Sequence, residues 1–401
     1  MKKKRARPQR LSQPACQAER GGQGARLPMT GTVGQASDGG RVICALSGGV
    51  DSSVAAAILK KQGYNVIGIF MKLWAEQSDR NDLVRENVCC SIEAATAARA
   101  VAQKLNIPFY VVNFQEEFKK KVVDYYIREY EEGRTPNPCV ICNRDIKGEL
   151  LLQKALELDT DYLATGHYAQ IKKIGGKFHL LQAKDKTKDQ TYFLWSLTQG
   201  QLSKLLFPVG DLTKIEVRKL AAKWHLPTAE RKESQGICFI PDRNISGFLR
   251  RYAKKLTKPG SIVDIHHHKI GLHSGLIDYT IGQRERLGLG GPRAYYVIKL
   301  ESSTNTLVVG DEKDLFRHNL VASNLNWIRG LPKKKNIGAR IRYGHEIDRC
   351  QIEFKQEKEK IKVAFRKPQR AITPGQSIVF YLPAGKAGDG ENVLGGGIIE
   401  E

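Results

Sequence analysis

Two patterns of apolar and polar positions alternate along the first half of the chain. Short unbroken apolar runs, "RVICAL" (41–46), "NVIGIFM" (65–71) and "IPFYVVNF" (107–114), predict buried strands. Between the first two, "SSVAAAILKKQ" (52–62) is rich in good helix formers and closes on Gly63. "SIEAATAARAVAQKL" (91–105) has helical spacing and runs through Asn106 into the third strand, and "EEFKKKVVDYYIREYEEG" (116–133) predicts one further helix, closed by Gly133. Apolar strands alternating with helices predict a parallel, doubly wound α/β sheet, in which ligands sit beyond the carboxyl ends of the strands.

The pattern changes further along. "TKIEVRKLAAKWH" (213–225) and "ISGFLRRYAKKL" (245–256) read as short helices. After Gly260, short alternating runs dominate: "AYYVIKLE", "TLVVG", "GARIRYG", "CQIEF", "KIKVAF" and "SIVFYL". Gly, Asn, Asp and Pro turns separate them, as in a small barrel or sandwich. The expected division is a tail (1–40), an α/β catalytic domain (41–208), a small helical connector (209–275) and a C-terminal small β-barrel (276–401). No internal repeat is evident.

Charge adds a partner to this picture. The 401 residues carry a net charge of +23. Residues 1–41 hold nine basic and two acidic side chains, so +16 remains on the body. A folded body that basic suggests an anionic partner, nucleic acid first; a generally lysine-rich proteome is the plainer account. No apolar run approaches the roughly 18 residues of a membrane span. Residues 1–40 lack the apolar segment of a secretory signal and predict a disordered basic arm. An organelle transit peptide, or a true start at Met29, fits them as well. The eight cysteines stand at 16, 44, 89, 90, 139, 142, 238 and 350. Such irregular spacing in a long chain of cytoplasmic type argues against a disulfide framework and for catalytic or metal-binding thiols.

"CALSGGVDSSVAA" (44–56) follows the first strand and opens the first helix. Gly48 and Gly49 allow a tight turn close to an anion, and Ser52 and Ser53 begin a helix whose N–H groups and dipole favour phosphate. The lysine of a common P-loop is missing, and Asp51 is odd at an anion site unless Mg²⁺ accompanies the phosphates. The stretch resembles the PP-loop of the N-type ATP pyrophosphatases. That resemblance implies cleavage of ATP between its α and β phosphates, with AMP placed on a substrate oxygen that a nitrogen or sulfur nucleophile then displaces.

A nucleophile is suggested by "GRTPNPCVICNRDIK" (133–147), with Cys139 and Cys142 in a CxxC, and by "SQGICFI" (234–240), with Cys238. A reactive thiolate needs a helix start or nearby cations, and Arg134, Arg144 and Lys147 are close in sequence. CxxC alone leaves a redox pair, half a zinc site or coincidence open.

Taken with "GIFMKLW", "ATGHYA", "KDQTYFLW", "LFPVGDLTKIEVRKLA", "YTIGQRERLGLGG" and "ITPGQSIVFY", these segments resemble the bacterial and organellar tRNA-specific 2-thiouridylases over nearly the whole chain from Arg41. The resemblance implies ATP-dependent 2-thiolation of the wobble uridine in tRNAs for lysine, glutamate and glutamine. Sulfur would come from a cysteine desulfurase or a sulfur-relay protein. Carried over by motif, Ala45, Leu46, Ser47, Gly48, Gly49, Val50, Asp51 and Ser52 would hold the ATP phosphates, with Met71 and Gly166 around the nucleotide. Cys142 would be the nucleophile and Cys238 the persulfide carrier. Asn137, Pro138 and Cys139 would face the target base, and His167, Lys188, Asp189, Gln190, Arg342, Tyr343 and Gln376 would touch tRNA.

Two departures stand out. Many members carry Asp at the position of Cys139, which puts an acid/base role in doubt and opens a [4Fe–4S] cluster on Cys139, Cys142 and Cys238 as an alternative to a persulfide and disulfide route. Gly148 stands where an aromatic is usual, predicting lost packing behind the cysteine loop. "HHH" (266–268) reads as a solvated turn, and Cys44 as core. Two competing functions remain at this point: a ligase or amidotransferase delivering ammonia, and an RNA-binding module with a structural zinc or iron–sulfur site.

Overall fold

The structure, a computed structural model, describes residues 39–74, 91–233, 236–240, 243–290, 294–333, 336–354, 359–382 and 392–401. The tail expected over 1–40 lies almost wholly outside these residues, as do Cys16, Cys89 and Cys90.

Strands β1 (Arg41–Ala45), β2 (Asn65–Lys72), β3 (Phe109–Asn113) and β4 (Tyr162–Ala164) follow the apolar runs. A hairpin, β5 (Ala169–Ile174) and β6 (Lys177–Gln182), precedes the two-residue β7 (Leu205–Leu206). The parallel sheet has the order β3-β2-β1-β4-β7, which places β1 at its centre. Val42, Ile43 and Cys44 are accordingly fully buried, and burial pushes the Cys44 thiol up to about 12. Helix α1 (Val50–Lys61) packs its alanine-rich face on the sheet, and α2 (Ile92–Leu105) is capped by the Ser91 side chain, which accepts from Ala94 N at 3.1 Å. Asn106, with φ at 48°, ends α2 in the left-handed region. Chain order reverses between β1 and β4, the point where such sheets take their ligands.

The helix expected over 116–133 is three segments: α-helical Gln115–Phe118, π-helical Lys119–Val123 and α-helical Asp124–Glu131. The same break recurs beyond the CxxC, where Pro138–Ile141 is α-helical and Cys142–Leu151 is π-helical. Hydrophobic spacing does not separate i→i+4 from i→i+5 bonding, so neither break is visible in the sequence pattern.

The helical reading of 209–275 holds at Lys214–Lys223 and Ile245–Tyr252 and is corrected beyond them. Strands β8 (Gly260–Val263) and β9 (Lys269–His273) join β10 (Tyr296–Glu301) and β11 (Thr306–Gly310) in one sheet of order β10-β11-β8-β9. Alternation alone had placed the last two with the barrel; four- and five-residue strands are too short to show their period. The barrel itself consists of β12 (Phe316–Trp327), β13 (Asn336–Arg340), β14 (Asp348–Phe354), β15 (Ile361–Arg370), β16 (Ser377–Leu382) and β17 (Asn392–Ile399). It closes because β12 pairs with both β15 and β17.

The α/β half and the barrel are joined through one sheet. β6 pairs with β17 at Leu181↔Asn392 and Leu180↔Val393. The segment after β6 drives its aromatics into the barrel. The Trp195 indole donates to Ser377 Oγ at 3.0 Å, and the Tyr192 hydroxyl reaches Ser377 O at 2.8 Å and Ile341 O at 3.2 Å. Gly396 is required here, since a Cβ would lie 2.7 Å from the Trp195 ring.

Candidate active site

The loop between β1 and α1 is held by its own serines. Ser52 Oγ accepts from Ser47 N at 3.2 Å, lies 3.2 Å from Ser47 Oγ and donates to Gly49 O at 3.1 Å. Gly48 has φ at 73°, and a Cβ on it would stand 2.3 Å from Ala94 O, so conformation and space both demand glycine. A Cβ on Gly166 would lie 2.6 Å from Ser52 N; the loop after β4 thus presses directly on the start of α1. Val50 is buried beneath the turn.

A lysine is present beside this loop, supplied from elsewhere in the chain. Lys214, the first residue of its helix, is buried and bonds Asp51 at 2.6 and 2.8 Å. The Tyr168 hydroxyl donates to the same carboxylate at 2.7 Å, and burial with Asp51 beside it raises that phenol far above its usual range. Glu233 links Lys214 (3.3 Å) to Lys188 (2.9 Å), and Arg231 donates to Gly48 O at 3.1 Å. The roles of Tyr168, Lys214, Arg231 and Glu233 were not read from sequence, although the blocks "ATGHYA" and "GDLTK" contain two of them.

Beyond the loop opens a cavity of about 490 Å³. Its lining includes Ser47, Asp51 and Ser52, Met71 and Gly166, and Cys139, Cys142 and Cys238. The phosphate loop and all three candidate thiols therefore face one space. Asn137 caps the helix Pro138–Ile141 by accepting from Cys139 N at 3.2 Å. Cys142 is buried, whereas Cys139 and Cys238 are partly exposed, and all three are thiols. Of the cations near them in sequence, Arg134 is taken by Glu129 (2.9 Å) and Arg144 by Asp145 (2.5 Å). Lys147 lines the cavity instead, donating to Asn143 Oδ1 at 3.0 Å and His167 Nε2 at 3.3 Å. Burial and the adjacent Lys147 hold His167 well below the usual histidine range. The imidazole is then neutral, with Nε2 accepting from Lys147 and Nδ1 donating to Thr165 Oγ1 at 2.6 Å.

Among the described residues, no group of three His, Cys, Asp or Glu side chains is placed to hold a metal ion. One expectation needs correction here. Gly148 leaves no hole behind the cysteine loop. A Cβ there would meet Asn143 O at 2.8 Å and Leu197 at 3.0 Å, and its carbonyl accepts from Gln201 Nε2 at 2.9 Å.

The residues expected to touch tRNA divide by position. His167, Gln190 and Tyr343 line the cavity, and Tyr343 packs on Phe193 with ring centroids 4.6 Å apart and the planes tilted by 38°. Lys188 is on the surface, paired with Glu233. Arg342 donates to Thr373 Oγ1 at 3.1 Å and Gln376 to Thr135 O at 2.7 Å, where the barrel meets the cysteine loop. Asp189 is 2% exposed and accepts from Ala183 N, Thr191 N and Thr191 Oγ1, so it shapes the segment from inside. The three histidines 266–268 form an exposed turn around Asp264, as read from sequence. Among the described residues no helix is long and apolar enough to cross a membrane.

Residues 40–242 match the family described as tRNA methyl transferase HUP domain, 246–311 the tRNA methyl transferase PRC-barrel domain, and 317–399 the aminomethyltransferase beta-barrel domain. The chain is 47% identical over 367 residues to the tRNA-specific 2-thiouridylase MnmA of Carboxydothermus hydrogenoformans, covering 90% of this chain and 98% of that one. It is 46% identical over 363 residues to the protein of the same name from Lachnoclostridium phytofermentans, covering 90% and 99%. The Clostridium perfringens protein of that name is 46% identical over 362 residues, with 90% and 98% covered.

Proposed function

Because the chain belongs to the tRNA-specific 2-thiouridylase family, we propose that it replaces the 2-oxygen of the wobble uridine of tRNA by sulfur, using ATP. The observation that carries this reading is the single cavity shared by the phosphate loop and Cys142 and Cys238. ATP binds with its phosphates against residues 45–52 and its nucleoside between Met71 and Gly166. Magnesium enters with the nucleotide as part of the substrate. Asp51 is the one carboxylate among the described residues lining the cavity, and its bond to Lys214 sets the charge that complex meets.

The uridine 2-carbonyl oxygen attacks the α-phosphorus, pyrophosphate leaves, and N3 gives up its proton. Cys238 carries a persulfide loaded by a cysteine desulfurase or sulfur-relay protein. Its terminal sulfur bonds C2, and the C2–O bond breaks with its electron pair leaving on AMP. Cys142 thiolate then attacks the Cys238 sulfur. The new thiocarbonyl is released as the Cys142–Cys238 disulfide forms, and a thiol reductant returns both cysteines to the thiols seen here. The base must leave its stack to reach this cavity, as enzymes acting on a nucleobase require. Asn137, Pro138 and Cys139 stand beside it, and Gln190 and Tyr343 at its lining suit a splayed loop nucleotide. Lys188, Arg342 and Gln376 serve as contacts to the tRNA body, with the acceptors for lysine, glutamate and glutamine as its substrates. Asp189 supports that surface from within. The enzyme works in the cytoplasm, where these partners reside.

The test is mass analysis of nucleosides from tRNA incubated with the chain, ATP and a sulfur source, alongside pyrophosphate release. Sulfur replacing oxygen at the wobble uridine, with tRNA-dependent pyrophosphate, is the expected result. A methyl group gained without ATP cleavage would instead favour the transferase named in the family descriptions. Pyrophosphate release indifferent to tRNA would favour an ammonia-delivering ligase.

A further inference from the structure

Lys147 is the one Lys or Arg among the described residues lining the cavity. Everything the proposed reaction brings there is anionic: triphosphate, nucleotidyl ester, persulfide and departing AMP. The other cations nearby are held outside or turned away. Lys214 is bonded to the Asp51 carboxylate, Arg231 is on the Gly48 carbonyl, and Arg134 and Arg144 are bonded to carboxylates.

The fold puts Lys147 there by a particular device. In an α-helix, residues five apart diverge by about 140°, so a lysine at that distance from Cys142 would leave its face. Cys142–Leu151 is π-helical, and i→i+5 bonding widens the turn until such residues share a side. Cys142, Asn143 and Lys147 consequently all line the cavity. The ammonium is then held by two neutral acceptors, Asn143 Oδ1 at 3.0 Å and His167 Nε2 at 3.3 Å, the second oriented by Thr165. Neither acceptor cancels its charge, in contrast to every other cation just named except Arg231, which is also on carbonyls.

We propose that Lys147 is a catalytic residue of the sulfur-transfer step, its ammonium holding the phosphate of the adenylated uridine and neutralising the charge that AMP carries away as the C2–O bond breaks. This rests on the adenylation reading above and adds the group that makes AMP a competent leaving group in a cavity lined by three cysteines. Preorganised charge in an enclosed site is commonly worth 10²–10³ in rate. Asn143 and His167 are positioning residues for it.

The experiment separates the two halves of the reaction. Adenylated tRNA is accumulated on the full chain without a sulfur source, then discharged by bisulfide in a single turnover. Lys147→Ala should still form adenylated tRNA but discharge it about 100-fold more slowly. Ethylammonium chloride should restore part of that rate, where sodium chloride at equal ionic strength does not. Lys147→Arg, which keeps the charge, should lose less than Lys147→Ala. Discharge by Lys147→Ala at the parent rate overturns the proposal. So does a slow discharge that is equal in the Ala and Arg variants and unmoved by the amine, which assigns the lysine to structure. If the parent chain accumulates no adenylated tRNA, the adenylation reading itself is refuted and this inference falls with it.

Discussion

The pair Asp51–Lys214 sets the charge of the loop between β1 and α1, and its removal in two halves should give unequal effects. Two unit charges about 4 Å apart attract by about 4 kcal/mol at an effective dielectric of ~20. The side chains are 31% and 11% exposed, so screening and the desolvation of the lysine take back roughly half, leaving about 2 kcal/mol of coupling. Lys214→Met leaves Asp51 anionic beside the site of three phosphates, with the Tyr168 hydroxyl at 2.7 Å as its remaining partner. ATP affinity should fall about 30-fold, the equivalent of 2 kcal/mol. Asp51→Asn removes the anion and leaves Lys214 paired with Glu233 at 3.3 Å, so binding should change little even where adenylation is lost. The double variant should bind ATP better than Lys214→Met alone. Calorimetric titration of ATP into the four proteins completes the cycle, and thermal unfolding verifies that each is folded. A double variant whose loss equals the two single losses, within about 0.5 kcal/mol, would refute the electrostatic account.

Other expectations follow from single contacts. Cys238→Ser should accumulate adenylated tRNA without thiolating it; loss of adenylation would give that thiol a structural role instead. Gly166→Ala forces a methyl to within 2.6 Å of Ser52 N, which backbone cannot relieve by a rotamer change, so ATP binding should weaken at least tenfold with about 1–3 kcal/mol lost in urea unfolding. His167 is depressed in the folded chain, so its contribution is complete above the unfolded value near 6.5 and is lost as pH falls toward the folded value. The stability difference between parent and His167→Gln should therefore shift against the parent by about 1.4 kcal/mol between pH 7.5 and pH 5.5; a difference flat with pH would show an imidazole that folding does not perturb, and a shift in the parent's favour one that is charged in the folded chain.

Much of the site was legible because its signals are local. Glycines beside a strand end, a serine pair at a helix start and a CxxC are read within a dozen residues, and the parallel sheet follows from apolar runs of ordinary strand length. What escaped notice depends on distance or on backbone detail. Lys214 reaches Asp51 across 163 positions, and no spacing rule connects them. Lys147 was noticed as a neighbour of the cysteines, but its place in the cavity depends on a π-helical turn that apolar periodicity cannot reveal. Gly148 looked like a loss because its sequence neighbours do not include Leu197 and Gln201, which fill the space. Strands β8 and β9 escaped because five residues hold too few alternations, and their partners lie beyond an intervening loop.

The bond from Trp195 to Ser377 spans 182 residues, and β6 waits for β17 across a comparable gap. A ribosome adding roughly 5–20 residues per second needs about 10–40 s to make that stretch. During this interval the nascent catalytic half has an indole, a phenol and a strand edge with no surface to receive them. Closure of the barrel comes long after the loop is made, and it seats the segment carrying Gln190 and Phe193. A chain interrupted before β16 and β17 lacks the Ser377 contacts of Tyr192 and Trp195, which flank Phe193 at the cavity lining. The lining is thus settled by strands made long after the loop that it faces.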